Sequence, residues 1–145
     1  MKKLIFLALV LFAGQYPAQV IISEVMSDND HVLEDFEGDS PDWLEISNQG
    51  EHPVDVSGWF ISDDEDDKLK WRFPSLILDA GQEQLVYASG KDLVDLWHSN
   101  FKIGSEGEAL FLTNDQGVLI HVFPAVCIPE DESAIAHPED GKFYF

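Results

Sequence analysis

The chain has 145 residues, 28 acidic and 8 basic, with a formal net charge of −20 and a pI near 4.2. A length of this order suits one hydrophobic core, and a surface this acidic repels DNA, RNA and anionic lipid, whose recognition relies on clustered Lys and Arg. Hydrophobic residues make up 45% of the chain, with 10 Phe, 4 Trp and 3 Tyr, which is enough to bury a core, so the charge does not imply disorder.

Met1-Lys2-Lys3 precedes ten consecutive apolar residues at 4–13, followed by Gly14, Gln15, Tyr16, Pro17, Ala18 and Gln19. A basic start and a short apolar run predict a secretory signal peptide over 1–19, because ten residues fall well short of the roughly 20 that span a bilayer. Cleavage is expected near Ala18 or Gln19, although Tyr16 is bulky where a small residue is usual. The expected product, 20–145, is secreted, periplasmic or on the cell surface. Without Lys2 and Lys3 it keeps six basic residues against 28 acidic ones, a charge of −22. Cys127 is the sole Cys, so no intramolecular disulfide forms. It is expected to be a small buried residue between Val126 and Ile128.

Beyond the leader, 20–26 is a β-branched apolar run and reads as a strand, 27–41 as a long polar and acidic loop, and 43–47 as a second strand. Asn48-Gln49-Gly50 marks a turn, 54–56 alternates, Ser57-Gly58 punctuates, and 59–62 is a further strand. Trp71 and Phe73 lie two apart, on one strand face. The run 76–78 leads through Asp79-Ala80-Gly81-Gln82 into a strand at 84–88, and 91–98 reads as a single helical turn or an irregular loop. A hairpin follows, with arms 108–113 and 118–123 around Asn114-Asp115-Gln116-Gly117, and Lys142-Phe143-Tyr144-Phe145 suits a last strand. Strands recurring every 8–12 residues or so predict an all-β sandwich or barrel.

The phrase Asp42-Trp43-Leu44-Glu45-Ile46-Ser47-Asn48, then Pro53-Val54-Asp55-Val56-Ser57-Gly58-Trp59 and Ser62-Asp63, closely resembles the bacterial branch of the lamin tail domain family. Later pieces follow in the same order: Phe73-Pro74, Gly81, Ala88-Ser89-Gly90-Lys91-Asp92, His98, Phe101-Lys102, Gly107, 110–113, and Asp115 with Gly117. The resemblance covers about 20–145 and implies an immunoglobulin-like β-sandwich. It departs from the family at Ala136-His137, where members usually have Gly-Arg, which implies that an arginine contact common in the family is missing. The bacterial modules it resembles are accessory parts of exported proteins, so it implies a role in contacts rather than a reaction.

Acids are concentrated. Eight fall between Asp28 and Glu45 and five between Asp63 and Asp67. Crowded carboxylates repel, and a hard divalent cation with six to eight oxygen ligands relieves that repulsion. Asp35, Glu37 and Asp39 offer oxygens at alternate positions around Gly38, with Asp42 three residues on, a partial likeness to a calcium loop that lacks the flanking helices and the final Glu. These four residues form the candidate calcium site, and a solvated acidic loop is the alternative. For Asp63–Asp67, Lys68, Lys70 and Arg72 are expected to line one strand face and supply ion pairs.

Catalytic signatures are weak. The sequence has no His-Glu-x-x-His, no paired Cys ligands, no Gly-x-Ser-x-Gly and no phosphate-binding glycine loop, and His31, His52, His98, His121 and His137 are scattered. Two carboxylates at a suitable separation cleave glycosides, but a pair arises by chance among 28 acids. Trp43, Trp59 and Trp71 are expected in the core, and Trp97 either anchors its loop or offers a stacking platform to a sugar. The expectation is a secreted, non-catalytic module that mediates adhesion or contact with a protein or polymer partner, with calcium at the acidic loop. The alternative is a small exported hydrolase using paired carboxylates, or the accessory domain of a larger one.

Overall fold

A computed structural model describes residues 19–136 and the strand at 143–144. The predicted signal segment, apart from Gln19, and His137 of the Ala136-His137 departure lie outside these residues. In chain order the strands are β1 (Val20–Met26), β2 (Asp42–Asn48), β3 (Val54–Asp55), β4 (Phe60–Ser62), β5 (Trp71–Arg72), β6 (Ile77–Leu78), β7 (Glu83–Ala88), β8 (Leu110–Thr113), β9 (Leu119–Phe123), β10 (Ala134–Ala136) and β11 (Phe143–Tyr144). Five form one sheet in the order β11-β10-β1-β2-β7, four form a second in the order β5-β4-β8-β9, and β3 with β6 makes a short ribbon. Every strand pairing is antiparallel. The immunoglobulin-like sandwich expected from the sequence is the fold observed.

Alternation decides which side chains enter the core. In β2, Leu44 and Ile46 point inward and are fully buried, facing Val86 of β7 and Ile22 of β1. Strict alternation in β1 would send Val20, Ile22 and Glu24 to the same face. A β-bulge at Ser23 inserts one extra residue against β2, which turns Glu24 away and returns Val25 to the core. The opposite sheet contributes Ile61, Leu110, Leu112 and Phe123. Trp71 and Phe73 share a face, as their spacing requires, with ring centroids 5.7 Å apart. Trp97 packs edgewise on Trp71 at 6.0 Å and tilted on Phe73 at 5.4 Å, so it anchors its loop. That loop holds one 3-10 turn, Val94–Leu96, entered and left through the left-handed residues Asp92 and Trp97.

Asn48 closes β2 with its side chain. It is fully buried, donates to the carbonyls of His52 and Leu78 at 2.9 Å each, and accepts from Gly50 N–H at 3.0 Å. Truncation removes all three bonds, and only the His52 carbonyl has a second side-chain donor, Gln19 Nε2 at 2.8 Å, so Asn48→Ala is expected to cost about 2 kcal/mol, read as a lower urea midpoint at unchanged slope.

Two expectations are corrected. Cys127 is exposed, because the extended segment around it turns Ile128 into the core and the intervening side chain outward. The basic residues do not line one strand face, since β5 contains only Trp71 and Arg72. Lys70 reaches Asp63 at 2.5 Å, whereas Lys68 donates to the Glu65 carbonyl and Arg72 packs beneath Gly58.

Candidate functional site

The acidic loop between β1 and β2 is tied at its base by Asn29. This buried side chain donates to the carbonyls of Leu33 (2.7 Å) and Pro41 (2.8 Å) and accepts from Val32 and Leu33 N–H. From the C-terminal side, Asp131 Oδ1 accepts from the N–H groups of Asp30 (2.8 Å) and His31 (2.9 Å). These side chains brace the loop's backbone, while Asp30, Glu34, Glu37 and Asp39 stay exposed.

Its tip is a closed turn around Asp35. The Asp35 N–H donates to the Asp39 carbonyl at 2.7 Å, and Gly38, at φ +83, donates back to the Asp35 carbonyl at 3.0 Å. Asp35 Oδ1 accepts from Glu37 N–H (2.9 Å) and Asp39 N–H (3.1 Å). Its other oxygen meets Lys91 Nζ at 2.5 Å, and the same ammonium reaches Glu37 at 2.7 Å and Asp39 at 2.8 Å. One cation therefore sits among three carboxylates. The side chain of Asp35 is 0% exposed, while Glu37 and Asp39 are 52% and 66% exposed.

The electrostatics follow from this arrangement. Burial pushes the Asp35 carboxyl up, but Lys91 and the two N–H donors outweigh it and hold the group below its ordinary 3.8. The Asp35 contribution to stability is therefore full above 3.8 and is lost as pH falls below that value. The three carboxylates raise Lys91 above its ordinary 10.5, so its contribution is full below 10.5 and is lost only at higher pH. Asp35 and Lys91 therefore both stay ionised across the neutral range.

Three of the four predicted metal residues, Asp35, Glu37 and Asp39, converge, with one oxygen from each within 4.8 Å of the others. Asp42 does not join them. It accepts from Asn29 N–H at 3.2 Å, and burial, with Asp28 and Glu108 nearby, pushes its carboxyl up. Together with Asp39, Ser89, Lys91 and Lys102 it lines a polar cleft of about 380 Å³ beside the clamp.

Sequence reasoning from the acids alone passed over Lys91, Ser89 and His98. His98 is buried, contacts Ser89 Oγ through Nδ1 at 3.0 Å, stacks on Tyr87 at 4.6 Å and meets the ring of Phe36 edgewise at 5.7 Å. Phe36 is exposed and lies 5.7 Å from Lys91 Nζ. The signal that marks these residues is the block Ala88-Ser89-Gly90-Lys91-Asp92 with His98, quoted above for its resemblance.

The second acidic stretch adjoins the same end of the sandwich. Asn100 Nδ2 donates to the Lys70 carbonyl at 2.9 Å, and Lys70 lies 5.6 Å from the Phe101 ring. Gly90 N–H, next to Lys91, donates to the Phe101 carbonyl at 3.0 Å. The segment 98–102 thus runs between the two acidic loops.

The model of one protein family, the Lamin Tail Domain, matches residues 14–126. The match stops short of β10, although β10 hydrogen-bonds to β1 through the pairs Glu24 with Ile135 and Val25 with Ala134. No curated protein matches the chain.

Proposed function

The chain belongs to the lamin tail domain family, and from that premise we propose that it is an exported, non-catalytic interaction module whose acidic end docks a basic protein or polymer. The family is one of immunoglobulin-like interaction domains, which supports contact rather than turnover. The signal-like leader supports export, and among the described residues no helix is long and apolar enough to cross a membrane. The observation that carries the docking surface is the clamp. Lys91 fixes Glu37 and Asp39 on a braced loop while leaving both carboxylates largely exposed, so a basic partner meets negative charge already in position.

The test uses poly-L-lysine as probe and charge reversal at acids outside the clamp. Glu34→Lys with Asp66→Lys, one residue in each acidic loop, is expected to weaken binding by about tenfold at low salt. Glu51→Lys with Asp115→Lys, the same charge change elsewhere, is expected to weaken it less than about twofold. Equal losses from the two pairs would mean attraction to net charge alone and would reject the site.

A second reading keeps calcium at Asp35, Glu37 and Asp39, favoured by the convergence of their oxygens within 4.8 Å. It requires Lys91 to leave the carboxylates, and it predicts a melting midpoint that rises with calcium.

A further inference from the structure

The two sheets meet along β1 and β9, and one side chain joins them. β10 covers the outer edge of β1 only at Glu24 and Val25. Ahead of the bulge no strand among the described residues pairs with this edge of β1, and there Ile22 N–H donates to His121 Nδ1 of β9 at 3.2 Å. Ile22 is fully buried, so water does not reach this donor, and the imidazole is its partner. Nδ1 accepts only when it carries no proton, which places the proton of the neutral ring on Nε2.

We propose that His121 is an acid-released latch that closes the edge of β1 against β9. Protonation puts an N–H on Nδ1 facing the Ile22 N–H, so the bond is lost and a buried donor is left without a partner. The surroundings offer the imidazolium little compensation. β8 and β9 carry no other titratable side chain, and the one charged residue of β1, Glu24, lies beyond the bulge and accepts from the Ser133 hydroxyl. On β2, behind β1, Asp42 accepts from Asn29 N–H and Glu45 from the Ser23 hydroxyl. Burial lowers the basicity of the ring, so the neutral, latched form is kept at neutral pH. Its contribution is full above the ordinary imidazole range and is lost as pH falls through and below it. The opened segment is the half of β1 that β10 does not cover, able to pair with an added strand.

Amide hydrogen exchange of the full chain, expressed as protection factors, tests the latch. Between about pH 7.5 and 5, protection of Ile22 is expected to fall at least about tenfold, while Leu44 and Ile46 keep theirs. His121→Asn, which keeps an acceptor that does not titrate, is expected to flatten the pH response, and His121→Phe to leave Ile22 weakly protected at both pH values. A side-chain titration of wild-type protein by NMR gives a second reading that does not depend on the variants folding. The His121 ring and the Ile22 amide are expected to shift with one midpoint. Ile22 protection unchanged at pH 5, loss of protection at Ile22, Leu44 and Ile46 together, or unlinked NMR midpoints would each overturn the proposal.

Discussion

Replacing Lys91 with methionine is expected to lower the melting temperature by roughly 10 °C at neutral pH. The substitution keeps most of the aliphatic stem and removes the ammonium, which also lies over the Phe36 ring. What remains is a carboxylate at Asp35 whose side chain is 0% exposed, with two more close by and no cation among them. A charge left buried without its partner costs far more than an exposed pair contributes. The same variant is expected to acquire a response to calcium, with millimolar calcium recovering part of the lost midpoint, because the three oxygens then face an empty centre of suitable size. Differential scanning fluorimetry of wild type and variant, each with calcium and with chelator, reads both effects. A variant that melts with the wild type would show that Lys91 does not hold the loop.

Gly107→Ala is expected to destabilise the sandwich by about 3–5 kcal/mol. Gly107 sits at φ +81, and a Cβ built on it would lie 2.0 Å from the Val126 carbonyl oxygen and 2.5 Å from its carbon. Both neighbours are backbone, so no rotamer change relieves the overlap, and the 104–107 turn or the segment leading to β10 must move. Gly117 supplies the control. It has a similar φ, +77, with nothing within 4 Å of the added carbon, and Gly117→Ala is expected to cost only the left-handed strain of about 1–2 kcal/mol. Urea denaturation of the two variants separates collision from backbone strain, and equal losses would refute the role given to Val126.

Residues that determine the sheets by local alternation were legible in the sequence. The run 20–26 became β1 with the same bounds, and the read strand at 43–47 differs from β2 by one residue at each end. β10 was not legible, because Ala-Ile-Ala is too short to show a period and forms only against the second half of β1. The three-residue strand β4 and the two-residue strands β3 and β6 form where turn residues bracket them closely.

For the site, the carboxylates could be read as a cluster, and their counter-charge could not. Lys91 is 56 residues from Asp35 in sequence. The pairing of Asp42 with Ala88 in the register of β2 against β7 sets the base of the acidic loop beside the turn that carries Lys91. Local charge counting has no access to that register. The His121 bond has the same character, since it depends on a bulge at Ser23 and on how far β10 extends along β1.

The most direct measurement is the melting midpoint of the wild-type protein in millimolar calcium against chelator. With Lys91 supplying the cation at Asp35, Glu37 and Asp39, the two midpoints are expected to coincide, because a ligand stabilises the native state only if it binds there. A midpoint that climbs with calcium concentration would contradict the lysine clamp and give the loop to the metal.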